Sequence, residues 1–266
     1  MQRALSLTLR IALGVSYRGS GYQGWQSQPS GLSVQDALER ALSQVADAPV
    51  RVVAAGRTDA GVHATGQVVH FDTAAVRPSS AWVRGTNAHL PSGVVVSWSR
   101  PMDETFHARF SACARTYQYL LYNDPVRPAL LADLSGWFHR PLDVTAMREA
   151  ARPLLGRHDF SSFRSSQCQA RSPEREVTSL AIDIDGPYLI FTISANAFLH
   201  HMVRNIVGAL VDVGAGRMQA AAMTDLLAAR DRRTAPPTFS PAGLCLAQVR
   251  YPQPFSIPEP VRLPWS

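Results

Sequence analysis

One order of elements occurs twice along this chain, and that repetition limits the fold more than any single motif. Alternation at Ile11, Leu13, Val15 and Tyr17 predicts a strand. Ser33, as N-cap with Asp36 in the first turn, then precedes a helical stripe of Val34, Ala37, Leu38, Ala41, Leu42 and Val45. Strands are expected at Val50 to Ala55 and Gln67 to Phe71, a short helix at Ser80 to Asn87, and a strand at Val94 to Trp98. The order restarts at Thr116 to Tyr122. It continues through a helix capped by Asp143 and two strands, Val177 to Ile184 and Tyr188 to Ser194, around Asp185-Gly186. A helix from Ala197 to Val213, an extra helix near Ala221 to Arg230 and a closing strand from Leu246 to Tyr251 complete it.

The expected fold is therefore α+β. It has two ferredoxin-like (βαββαβ) halves, each with a mostly antiparallel sheet and helices on one face. The halves are placed at residues 1–105 and 106–252, followed by a proline-rich extended arm at 253–266.

Charge narrows the chemistry. The formal net charge is +6 over 266 residues, which favours a polyanionic partner. All 26 basic residues are arginine. Schiff-base lysines, phosphate-loop lysines and lysine general bases are thus excluded, whereas arginine forks suit phosphates and the faces of nucleobases. The three cysteines, Cys113, Cys168 and Cys245, lie far apart with no C-x-x-C pair, which argues against a zinc ribbon or a disulfide scaffold. No apolar run is long enough for a membrane span, and Met1 to Arg10 lacks the pattern of a signal peptide, so a cytoplasmic location is expected.

The segment Gly56-Arg57-Thr58-Asp59-Ala60-Gly61-Val62-His63-Ala64 sets a carboxylate beside a guanidinium in a Gly-bounded loop between two β-branched runs. An aspartate in such a turn often only bonds nearby backbone N–H groups. A loop held by two strands can equally present a reactive side chain to a partner. No Gly-x-Ser-x-Gly elbow or cysteine nucleophile motif occurs, so Asp59 is the candidate nucleophile.

Other signals are weaker singly. Arg204 falls off the apolar stripe of the 197–213 helix, on the face shared with His200, His201 and Gly208. His200 and His201 are adjacent, so a helix cannot aim both at one metal, and no metal site is expected. Tyr117 and Tyr119 share one face of a strand, either as packing residues or as a stacking platform for a base. The loop from Tyr17 to Gln26 mixes glycines with Trp25 and suits RNA, although a plain surface loop explains it as well. Arg109 and Arg115 cluster near His107 and Phe110, and Arg164 and Arg171 flank Gln167-Cys168-Gln169. Facing halves would join these arginines into a basic cleft.

In combination these stretches resemble the tRNA pseudouridine synthase A family. The resemblance rests on Gly24-Trp25-Gln26, the Gly56 to His63 block, Gly66 to Phe71, Phe106-His107-Ala108-Arg109-Phe110 and Tyr117-x-Tyr119. It continues through Asp159-Phe160-x-x-Phe163-Arg164, Asn196-Ala197-Phe198 with His200 to Ile206, and Gly243-Leu244. It implies isomerisation of uridine to pseudouridine at positions 38, 39 and 40 of the tRNA anticodon stem-loop. It also implies two halves joined as one extended sheet with a central RNA-binding cleft, a homodimer, and neither cofactor nor metal. Asp59 is then the nucleophile, Arg57 the base-flipping residue and Arg204 the ion-pair partner of Asp59. Tyr117 stacks on the base and is a candidate to accept the ring proton. Leu244, Tyr119, His63, Trp25, Arg109 and Arg164 become substrate-binding candidates. Two other classes compete. A non-catalytic RNA-binding module is disfavoured because no RNP1 pattern is present, and a nucleoside glycosidase would need a second acid in the site.

Overall fold

The computed structural model describes residues 8–261. The expected arm at 253–266 is therefore described only to residue 261, and the first seven residues of the expected first half also lie outside the described region. Among the described residues the fold is mixed α+β with ten strands and five α-helices, and the strand pairing is mostly antiparallel. The chain divides into two compact units. The first takes residues up to Cys113 together with those from Leu246 on; the second runs from Ala114 to Cys245. The division thus falls after Cys113 rather than after residue 105, and the last strand and the tail return to the first unit.

In the first unit, β1 (Leu9–Tyr17) lies between β3 (His63–Thr73) and β4 (Val94–Met102), antiparallel to both. Ile11, Ala12, Leu13 and Val15 are all buried, as a central strand covered on both faces requires. The short β2 (Val53–Ala54) pairs with β3, opposite Val69 and His70. Helix α1 (Val34–Ala46) begins with the expected Ser33 cap: its hydroxyl accepts the Asp36 amide at 3.0 Å while the Asp36 carboxylate reaches back to Ser33. Leu38 and Leu42 are fully buried beneath it, each worth roughly 1.5–3 kcal/mol. Helix α2 (Ser79–His89) packs beside α1.

The second unit orders β5 (Ala114–Asn123), β9 (Tyr188–Ala195), β8 (Glu174–Asp185) and β7 (Gly156–Asp159) side by side, with β6 (Gly136–Phe138) parallel to β5. The β8–β9 hairpin turns on Gly186 and Pro187, one residue later than Asp185-Gly186, with Gly186 at φ 55°. Helix α3 (Val144–Ala151) is capped by Asp143 and packs on α4 (Met202–Gly214); α5 (Ala222–Ala229) follows. Helix α4 starts at Met202, five residues after the expected Ala197. His201 at its N-terminus has φ 65°, a left-handed conformation that a helix cannot contain. His200, His201 and Phe198 therefore lie in the preceding loop, not on a helical face.

The final strand β10 (Leu244–Arg250) begins in the second unit and ends in the first, where it lies beside β3. A Cβ on Gly66 would sit 2.1 Å from the Ala247 carbonyl oxygen, so only glycine permits that approach. The described tail rests on the first unit. Phe255 packs on Phe106 at 5.2 Å, and Arg100 donates to the Ser256 carbonyl. No helix among the described residues is long and apolar enough to cross a membrane.

Candidate active site

In the first unit the loop between β2 and β3 is held by hydrogen bonds at Ala55, Gly56, Thr58 and Val62. The Ala55 amide donates to the Val68 carbonyl at 2.8 Å, and the Gln67 side-chain amide donates to the Gly56 carbonyl at 2.8 Å. The Trp25 amide donates to the Thr58 carbonyl at 3.0 Å. The Thr58 hydroxyl meets the Tyr17 hydroxyl at 2.8 Å. The Val62 amide then closes a turn on the Asp59 carbonyl at 3.1 Å, with Gly61 at φ 78° as the third residue of that turn. Thr58 and Val62 are buried, Asp59 is half-buried and Arg57 is exposed. The fold thus spends its hydrogen bonds on the residues flanking Asp59 and presents the carboxylate on a rigid apex, which lowers the entropy cost of aiming it.

Trp25 and His63 belong to the support of this loop. Trp25 is 2% exposed with its ring 5.7 Å from that of Tyr17, so it offers no face to a base, contrary to the substrate-binding role expected for it. The buried His63 accepts the Gly19 amide at Nδ1, 3.0 Å away, which leaves its proton on Nε2. Arg109 lies on an exposed turn beside Phe110.

In the second unit the candidates gather on β5, the start of α4 and the segment 237–244. Tyr117 is 8% exposed and meets Phe198 edge-on, with ring centroids 5.1 Å apart. Tyr119 shares its strand face but is wholly buried, donating its hydroxyl to the Ser240 carbonyl at 2.9 Å between Phe191 and Phe239. Burial pushes its phenol far above the ordinary range. Tyr119 is a core residue and not the substrate contact that its spacing suggested. Arg204 is half-buried; its Nε donates to the Phe239 carbonyl at 2.9 Å, and the Phe239 amide returns a bond to the Arg204 carbonyl at 3.3 Å. Leu244 opens β10, its amide bonded to the Pro241 carbonyl at 2.9 Å. Arg164 lies in a separate loop, donating to the Cys168 carbonyl at 2.9 Å.

Next to Arg204, Asn205 is fully buried and makes three hydrogen bonds. It donates to the Phe163 carbonyl at 2.7 Å and accepts from Thr238 at 2.7 Å and Arg232 at 3.2 Å. The sequence reading gave Asn205 no role, although an amide inside an apolar helical stripe is a signal for such a buried junction. Gln67 and Tyr17 were missed in the same way. Among the described residues, no three His, Cys, Asp or Glu side chains within either unit converge as a ligand set.

The model of one protein family, described as tRNA pseudouridine synthase, matches residues 14–111 and 150–252. Proteins named tRNA pseudouridine synthase A are similar along almost the whole chain. That of Bordetella parapertussis is 59% identical over 252 residues, 94% of this chain and 93% of its own. That of Paraburkholderia phymatum is 57% identical over 259 residues, 97% of each chain. That of Thiobacillus denitrificans is 56% identical over 251 residues, 94% of this chain and 96% of its own. The chain belongs to the tRNA pseudouridine synthase family. Pseudouridine synthases are isomerases, and the chain is therefore an isomerase. The family match contains the Asp59 loop, Arg204 and Asn205. Tyr117 and Tyr119 fall between its two matched spans.

Proposed function

We propose that this chain isomerises uridine to pseudouridine at positions 38, 39 and 40 of the tRNA anticodon stem-loop, with Asp59 as nucleophile. The observation that carries this reading is the Asp59 turn itself, a carboxylate on an apex whose flanking residues are bonded on both sides. The reaction exchanges the N1–C1′ bond of uridine for a C5–C1′ bond. C5 loses its proton and N1 gains one, so no electrons are gained or lost and no redox partner is required. Attack by the carboxylate on the sugar carbon and attack on the uracil ring both fit this balance.

In this reading the target base leaves its stack and Arg57, exposed on the same loop, fills the vacated space. Arg204 is the charge partner of Asp59, and its bond to the Phe239 carbonyl sets the guanidinium's direction. Tyr117 stacks on the uracil and takes the C5 proton, and Leu244 packs the other face. Arg109 and Arg164 contact phosphates, and His63 holds the loop from behind. The protein works as a cytoplasmic homodimer without cofactor or metal. A paired stem is read by shape and phosphates rather than by base edges, which suits three neighbouring targets.

The test is to map pseudouridine in an unmodified tRNA transcript incubated with the protein alone. Pseudouridine at 38–40 with wild-type protein, and none with Asp59→Ala that still binds tRNA, is the expected result. Turnover by Asp59→Ala overturns the nucleophile, and modification elsewhere in the tRNA overturns the position.

A further inference from the structure

Away from the Asp59 loop, the first unit builds a graded column of rings from its core to its surface. His70 is buried on β3 and accepts the Ala108 amide at Nδ1, 3.1 Å away. The His107 ring lies 4.8 Å from it, and the Phe110 ring stacks on His107 at 4.3 Å with only 25° between the planes. Phe110 is 76% exposed.

This exposed ring is not a loose side chain. His107 Nδ1 accepts two backbone amides, those of Arg109 at 3.2 Å and Phe110 at 3.1 Å, and the Ser111 hydroxyl accepts the His107 amide at 2.9 Å. The turn is closed again by the Ser111 amide on the His107 carbonyl at 2.9 Å. Burial, followed by the positive charge of Arg10, holds the His107 imidazole below its ordinary pKa and so neutral, as an acceptor from two amides must be. The inner face of Phe110 is thus covered by a fixed ring while its outer side meets solvent. Exposing a large aromatic face on a rigid mount gains nothing in folding. Arg109 places its guanidinium carbon 5.6 Å from the centre of the same ring.

A flat, preordered π-face beside an arginine is the chemistry that takes a nucleobase and its phosphate. Bases inside a stem already have both faces covered, so the partner must be an unstacked one. We propose that Phe110, backed by His107, is a stacking platform for an unpaired nucleobase of the tRNA, with Arg109 on the adjoining phosphate. This rests on the reading that tRNA is the substrate. The net charge of +6 favours such a polyanion over a second, equally basic copy of this chain.

The experiment compares wild type with Phe110→Ala, Phe110→Leu and Phe110→Trp in binding an unmodified tRNA transcript. Because Phe110 is exposed, all four should melt alike. The alanine and leucine variants should bind about 10- to 100-fold more weakly, and the tryptophan variant as wild type. The Phe110→Trp protein should also lose more emission on binding than wild type does. Equal affinities for all four, or a leucine variant that matches tryptophan, overturn the platform alone. Unchanged RNA affinity with loss of self-association in Phe110→Ala assigns the face to a second copy and also overturns it. Wild-type protein that binds no tRNA removes the substrate reading and the platform together.

Discussion

The hydroxyls of Tyr17 and Thr58 meet at 2.8 Å directly beneath the residue that precedes Asp59. Both groups are buried, Tyr17 at 4% exposure and Thr58 at 7%, so each depends on the other for part of its hydrogen bonding. The central strand β1 thereby touches the Asp59 loop through a buried polar contact.

Thr58→Val keeps the shape and removes that contact. The expected cost is about 1–3 kcal/mol of stability, because the Tyr17 hydroxyl stays buried with one partner fewer. Denaturant melts measure the stability, and kinetics should show kcat falling more than KM because the loop loses its aim. A variant with wild-type kcat would mean that the loop is set by its backbone bonds alone.

Gly24→Ala should be worse. Gly24 has φ 90°, and a Cβ there would lie 2.8 Å from the Thr58 carbonyl oxygen and 3.1 Å from the Ala60 nitrogen. A left-handed backbone costs an alanine about 1–2 kcal/mol before the clash is counted. Lowered melting temperature together with lost pseudouridine formation is expected; an alanine variant that melts and turns over normally contradicts this placement.

Asn205→Ala deletes both halves of a buried junction, stranding the Phe163 carbonyl, while the Thr238 hydroxyl loses one partner and keeps Arg232 at 3.2 Å. A loss of about 2–4 kcal/mol is expected from the stranded carbonyl, the hydroxyl's lost bond and a small cavity. Its activity should fall with it, since Arg204 is the preceding residue. Urea titration read alongside turnover decides whether the two losses travel together.

His70 makes stability depend on pH. Burial, followed by the charge of Arg10, lowers it from 6.5 to about 4. Between those values the unfolded chain binds the proton and the folded one does not. The His70 contribution is therefore complete above pH 6.5 and is lost as pH falls towards 4. Over that range wild type should lose about 1–3 kcal/mol more than His70→Asn, whose side-chain oxygen can still accept the Ala108 amide. Parallel curves for the two proteins would mean that His70 titrates normally.

Local signals were legible where local physics decides. Ser33 and Asp143 cap their helices as their side chains foretell, and Gln67 to Phe71 lies within β3, whereas of the expected strand Val50 to Ala55 only Val53–Ala54 pairs. The start of α4 was not legible, because a left-handed His201 depends on the loop it closes and not on apolar periodicity. At the site, the Gly56 to His63 block announced its carboxylate. Tyr119 and Trp25 misled, because strand alternation tells which face a side chain takes but not whether that face is covered. Nor does alternation reveal that β10 leaves the second unit at Cys245 and joins the first at Leu246, since that requires pairing over nearly two hundred residues.

That late strand has a consequence for synthesis. While the ribosome is still making the second unit, β3 waits without the β10 neighbour that only the last part of the chain supplies. An open sheet edge invites pairing with other chains. The first unit is begun before the second and completed after it, so its open edge persists while residues 114–245 are made.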